Sequence, residues 1–132
     1  MALQVSIAIT NAARWMSEDM ATYGYFSHTD RLGRDPFVRM AAYGYDYATW
    51  KGENIAAGYS SGINTFNQWR CSPGHNANML NANYRVMGIA RFERSASTYR
   101  HYWTNDFGGT VDATVAVGDP ASTPALPTTP CP

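Results

Sequence analysis

Apolar residues recur at three- and four-residue steps from Ile9 through Ala12, Ala13, Met16 and Met20 to Tyr23. That spacing places them on one face of a helix over residues 5–23. Asn11, Arg14, Ser17 and Glu18 fall mostly on the other side, and Gly24 stands where a left-handed residue ends a helix. The periodicity then breaks into a loop over 25–35 that carries His28 and is punctuated by Gly33. Asp35-Pro36 reads as an N-cap followed by a first-turn proline. It predicts a short helix to about Tyr43, with Phe37, Met40 and Ala41 at helical spacing and Gly44 as the stop. An irregular aromatic stretch, Tyr45 to Trp50, leads into Gly52-Glu53-Asn54-Ile55-Ala56-Ala57-Gly58, a glycine-bounded apolar run holding one carboxylate and one amide. Ser60-Ser61-Gly62 starts a third helix bearing Ile63, Phe66, Gln68 and Trp69. Ser72-Pro73 starts a fourth, with His75 in its first turn and an end at 81–83.

Later in the chain the period changes. Val86 to Phe92 is apolar and modestly alternating. Tyr99 to Phe107 puts Tyr99, His101, Trp103 and Asn105 on one face and Arg100, Tyr102, Thr104 and Asp106 on the other. Residues 93–98 between them form a polar hairpin loop. Helices early and strands late give an α+β fold, not an alternating parallel one. From Gly118 the pattern disappears into Asp119-Pro120-Ala121-Ser122-Thr123-Pro124 and further prolines. The chain is therefore read as one domain over 1–117 and a Pro/Thr-rich linker or tail over 118–132, which can tether the domain to something else.

Composition narrows the function classes. The 132 residues suit a single core, and ten basic residues balance ten acidic ones. No net field draws the chain to nucleic acid or to an anionic membrane. No apolar run is long enough to span a bilayer, and the first residues lack the basic and apolar regions of a signal peptide. Cys71 and Cys131 are the two cysteines. A bridge between them, two free thiols and intermolecular pairing all remain open, so cysteine usage does not assign a redox compartment.

The chemistry concentrates on His28, Glu53 and His75. A carboxylate in an apolar run must be paired, hydrogen-bonded or metal-bound if buried. Glu53 is therefore either a structural tie between loops or part of a metal or acid–base site. Each histidine has a bland reading as a hydrogen-bonded loop residue, although a helix's first turn keeps the His75 imidazole neutral, the form a metal requires. Two imidazoles and one carboxylate make a three-ligand zinc set with one position open. Their dispersed spacing matches no compact ligand motif. His101 is read as structural. Cys71 with His75 four residues on lacks an orienting third group, and is read as a small buried residue instead of a nucleophile.

Six ordered segments carry a resemblance. They are Ala12-Ala13-Arg14-Trp15-Met16, Tyr25-Phe26-Ser27-His28-Thr29-Asp30, Gly52-Glu53-Asn54-Ile55-Ala56, Trp69-Arg70-Cys71-Ser72-Pro73-Gly74-His75-Asn76, Met87-Gly88-Ile89-Ala90 and Tyr102-Trp103-Thr104-Asn105-Asp106-Phe107-Gly108. Together, from about residue 3 to Gly109, the chain resembles the bacterial SCP-like branch of the CAP superfamily of cysteine-rich secretory, antigen 5 and pathogenesis-related proteins. The resemblance implies an α-β-α sandwich with a central antiparallel sheet, and an extracellular or cell-surface location. It also implies a cleft lined by two histidines and two acidic residues able to bind a divalent cation, zinc above all. His28, Glu53 and His75 match three of the four. Ser72 stands at the fourth position, as is common in bacterial members, and a hydroxyl implies weak cation binding. Family members begin with a further helical segment, so the resemblance also implies N-terminal truncation of a secreted protein.

Three functions follow as expectations. The first is a non-enzymatic module binding a divalent cation or a lipid- or sterol-like molecule at His28, Glu53 and His75. The second is a metal-assisted hydrolase or protease with Glu53 as general base. The third is a structural or adhesion module in which the three residues only tie loops together.

Overall fold

In a computed structural model, residues 2–116 and 130–132 are described. The elements are β1 (Gln4–Ser6), α1 (Ile7–Tyr23), α2 (Pro36–Ala42), β2 (Lys51–Ala57), α3 (Gly62–Arg70), α4 (Pro73–Leu80), β3 (Val86–Glu93), β4 (His101–Gly108) and β5 (Thr114–Val115). The strands form one sheet in the order β2-β4-β3-β1-β5. The expected α+β class and layered architecture are borne out. The β2-β4-β3 core is antiparallel as expected, while β1 pairs with β3 in parallel, which makes the whole sheet mixed.

The two faces of the sheet are covered by different helices. Ile55 and Tyr102 join Met16, Met20 and Ala21 of α1 in one apolar cluster. Ala56 and Trp103, one residue on and therefore on the opposite face, pack with Trp69 of α3. α1 lies so close to the sheet that a Cβ at Gly88 would overlap the backbone of Ile9 and Thr10. Ser17, expected to face outward, is instead buried and bonds Ala90 O at 2.9 Å and Thr104 Oγ1 at 2.8 Å. Tyr23, expected on the buried face, is exposed.

Local chemistry sets the helix ends. Ser6, Asp35 and Ser61 each accept a hydrogen bond from the backbone N–H three residues on. Gly24 closes α1 in the left-handed region at φ 70°. The helix expected over 5–23 starts at Ile7, because Gln4 to Ser6 are drawn into the sheet beside β3. The stretch 52–58, whose pattern does not announce a strand, supplies most of β2, with Glu53, Asn54, Ile55 and Ala56 all buried. Cys71 and Cys131 form a disulfide, so neither is a thiol nucleophile and the open question of their pairing is closed. The expected domain boundary at 117/118, and the tail reading for 118–129, lie outside the described residues.

Candidate functional site

β2 is the outermost strand on its side of the sheet, and a cleft of ≈ 710 Å³ opens along its free edge. Ile55, Ala56 and Ala57 form the floor. His28 and Phe26 stand on one wall, Trp69 and His75 on the other. The two imidazoles thus face one space, as the sequence suggested. Glu53 lies beneath His28 and is not open to that space in the same way.

Glu53 is held from two sides. The ring Nδ1 of His28 lies 2.9 Å from Oε1, and Arg39 Nη1 donates to Oε2 at 2.5 Å. The Glu53 side chain is 1% exposed and that of His28 54% exposed. Burial alone would raise the Glu53 carboxyl. The His28 ring, the adjacent Asp106 carboxyl and the Arg39 guanidinium together hold it below the ordinary carboxylate range. An ionised carboxylate only accepts, so Nδ1 of His28 carries the proton and Nε2 is left for the solvent side.

Arg39 is the residue sequence reasoning missed. It is fully buried at the C-terminal half of α2, where it donates to Glu53, to Asp30 Oδ2 at 3.1 Å and to the backbone carbonyl of His28 at 2.6 Å. One guanidinium therefore fixes both the histidine's backbone and the carboxylate behind its ring. Asp30 in turn shapes the loop, its Oδ1 accepting from Leu32 N and Arg34 N at 2.9 and 3.0 Å. Burial pushes the Asp30 carboxyl up, but the Arg34 backbone N–H and the Arg39 and Arg34 side chains outweigh it and leave the group lowered.

Asp106 is the second residue that sequence reasoning missed. It is the cross-strand partner of Glu53. Gly58 N donates to His101 O, and this phase makes Glu53 and Asp106 a non-hydrogen-bonded pair, the kind with the closer side chains. Asp106 is fully buried, and neither carboxyl oxygen meets hydrogen-bond geometry with a partner among the described residues. Burial, then the charge of Glu53, raises it well above the ordinary range. The pair therefore holds one proton between its two carboxyls, on Asp106, and a neutral Asp106 facing an ionised Glu53 lowers the one group while it is itself raised.

His75 is placed by α4. The N-cap Ser72 makes no side-chain bond to the helix; its hydroxyl lies 2.8 Å from His75 Nδ1. Asn54, on the α3/α4 side of β2, donates to the His75 carbonyl at 3.1 Å and accepts from Asn78 at 2.9 Å, which seats α4 on the strand. Burial, and then His28, lower the His75 pKa and favour the neutral ring. This cause replaces the helix terminus invoked from the sequence.

As three direct ligands of one metal, His28, Glu53 and His75 do not fit this arrangement. Both Glu53 oxygens are engaged, and among the described residues no three His, Cys, Asp or Glu side chains are grouped to hold a metal ion. The carboxylate stands behind an imidazole, the position from which it orients a ring and raises its basicity. His101 lies outside the cleft, 3.2 Å from Arg91 and 3.8 Å from Glu93, in keeping with its structural reading.

The model of the cysteine-rich secretory protein family, CAP, matches residues 1–107. The uncharacterized protein YkwD of Bacillus subtilis is 34% identical over 107 residues, covering 81% of this chain and 39% of its own length. The uncharacterized membrane protein YlbC of the same organism is 32% identical over 91 residues, 69% of this chain and 24% of its own length. The chain thus spans well under half of these relatives. Among solved structures, an extracellular protein containing an SCP domain from Bacillus anthracis superposes with TM-score 0.72 at 26% identity, over 83% of this chain and 34% of that one. An outer surface protein of Borrelia burgdorferi shares the fold, with TM-score 0.71 at 20% identity, over 82% of this chain and 77% of that one.

Proposed function

This chain belongs to the cysteine-rich secretory protein (CAP) family, and on that footing we propose that it is an extracellular module that captures a small amphipathic ligand without transforming it. The observation that carries the reading is the cleft itself. Its floor of Ile55, Ala56 and Ala57 suits an apolar body, and His28 and His75 offer hydrogen bonds to a polar group from opposite walls. Lipid- and sterol-like molecules meet the apolar half of that description. The extracellular assignment is supported by the two structural relatives, one described as extracellular and one as an outer surface protein.

The chemistry of Glu53 favours binding over hydrolysis. A general base works best with a pKa near the operating pH and a free lone pair toward the substrate. Glu53 is held below the ordinary range and spends its oxygens on His28 and Arg39. The test is an NMR titration of the His75 ring and the Ile55 methyls with octanoate, cholesterol sulfate and a short capped peptide. At least one probe should shift both sets together, and His75→Ala should weaken that probe by about tenfold. A cleft that none of the probes perturbs removes the reading.

A second reading rests on the His28–Glu53 pair. A carboxylate behind an imidazole is the arrangement that strengthens a metal-bound histidine. A divalent cation such as zinc would then be held by the two imidazoles alone, and weakly. Calorimetric titration with zinc of the wild type and of His75→Ala tests it; equal heats in the two proteins exclude the site.

A further inference from the structure

The floor of the cleft is a strand edge in which the two kinds of backbone group are treated differently. Because β2 ends the sheet, every second residue turns its backbone away from β4. The bond from Gly58 N to His101 O sets the phase, so Lys51, Glu53, Ile55 and Ala57 point outward. Three of the outward carbonyls are capped by side chains. Tyr84 Oη donates to Lys51 O at 3.1 Å, Asn78 Nδ2 to Glu53 O at 3.3 Å and Trp69 Nε1 to Ile55 O at 3.0 Å. The outward N–H groups of Ile55 and Ala57 meet no acceptor among the described residues, and both residues line the cleft. Along the cleft the edge therefore keeps two outward donors, on Ile55 and Ala57, and one uncapped outward acceptor, the Ala57 carbonyl.

Two such donors, two residues apart, are separated by about 7 Å along a strand. That is the repeat of the carbonyls on one side of another extended chain. A fatty acyl chain or a fused ring system presents no pair of acceptors at this spacing. The geometry points to a short peptide in extended conformation as the cleft's ligand, its carbonyl oxygens accepting from the N–H groups of Ile55 and Ala57. The mode is strand addition at a sheet edge, with alternate side chains turned toward the two walls. With the Lys51, Glu53 and Ile55 carbonyls already capped, the peptide is held by the two donors and the Ala57 carbonyl and not by a full ladder along β2. This inference rests on the reading of the cleft as a ligand site and narrows its ligand class.

The experiment titrates the ¹⁵N-labelled protein with acetyl-Val-Ala-Val-Ala-amide and, separately, with octanoate. The peptide should shift the amide protons of Ile55 and Ala57 and slow their hydrogen exchange by about tenfold or more. Asn54 and Ala56, already bonded to β4, should be unaffected. Ala57→Pro removes one outward donor without breaking a ladder bond, because proline is tolerated where the N–H faces away from the sheet. It should weaken the peptide by about tenfold and octanoate by clearly less, while Ala57→Val, which keeps the N–H, should bind the peptide more tightly than Ala57→Pro does. If Ala57→Pro fails to fold, the exchange rate of Ile55 in the wild type decides. Peptide binding that ignores Ala57→Pro, or that leaves Ile55 exchange unchanged, overturns the inference. Octanoate binding without peptide binding overturns it and leaves the ligand-site reading standing, whereas silence toward both probes removes both.

Discussion

Arg39→Met isolates the residue on which the cleft's charge balance depends. The guanidinium is fully buried and serves Glu53, Asp30 and the His28 carbonyl at once. Methionine keeps much of the volume and removes every donor. Asp30 retains Arg34 and two backbone N–H groups. Glu53 retains only His28, and faces Asp106 across the strand pair. Removing one partner of a buried ion pair costs about 3–5 kcal/mol, because the other charge is left in the interior. Loss of about 3 kcal/mol or more is expected at pH 7, read by urea unfolding with tryptophan fluorescence. The pH dependence gives a second check. Asp30 and Glu53 are both lowered in the folded wild type. Such groups contribute stability that is complete above their unfolded values, near about 4, and is lost as pH falls through the folded ones. The variant lacks most of that contribution, so the two unfolding curves should converge below about pH 4. A difference under about 1 kcal/mol at pH 7, or one that widens on acidification, would refute the assignment of Arg39 as the shared counter-charge.

The same geometry bears on three other positions. His75 should titrate below an ordinary histidine in an NMR pH series. Because its folded pKa is lowered, stability should fall as pH drops from its unfolded value toward its folded one; a ring titrating above the ordinary value contradicts this. Cys131→Ser opens a bridge with a sequence separation of 60, which loop entropy values at about 4 kcal/mol, and a denaturation midpoint equal to the oxidised wild type's would show that the bridge contributes nothing. Gly88→Ala should cost about 3 kcal/mol or more in urea unfolding, since the new methyl meets the backbone of Ile9 and Thr10, which cannot rotate aside.

The parts of the fold written in local periodicity were legible, and the parts written in tertiary context were not. Ile9, Ala12, Met16 and Met20 repeat as a helix face because α1 has one buried side and one wet side. β2 carries no such alternation. It is covered on both faces and buries Glu53 and Asn54 beside Ile55 and Ala56, so the period of two is erased. α2 inverts the usual rule, with Phe37 exposed and Arg39 buried. Arg39 is satisfied only by acceptors from residues 28, 30 and 53, and no window of sequence displays that convergence. His28 and His75 were recognisable as a pair through ordered motifs. The role of Glu53 as a prop for His28 emerges only from the distances. Asp106 was assigned to a strand face, and its pairing with Glu53 follows from a register that the alternation alone does not supply.

The Cys71–Cys131 bridge also changes what a single cut in the backbone can accomplish. Residues 117–129 lie between Ala116 and a segment clamped by that bond to the end of α3. A protease cleaving anywhere among them yields two chains that remain one covalent molecule. The downstream piece, which carries Pro130-Cys131-Pro132, stays fastened beside Tyr59 and Asn67. Such a nicked protein would run at full mass on a non-reducing gel and split only after a reductant is added. Release of the segment beyond the cut therefore takes two events of different chemistry, hydrolysis of a peptide bond and reduction of a disulfide. Digestion alone leaves the α3–α4 junction, and with it the Ser72–His75 wall, as it was.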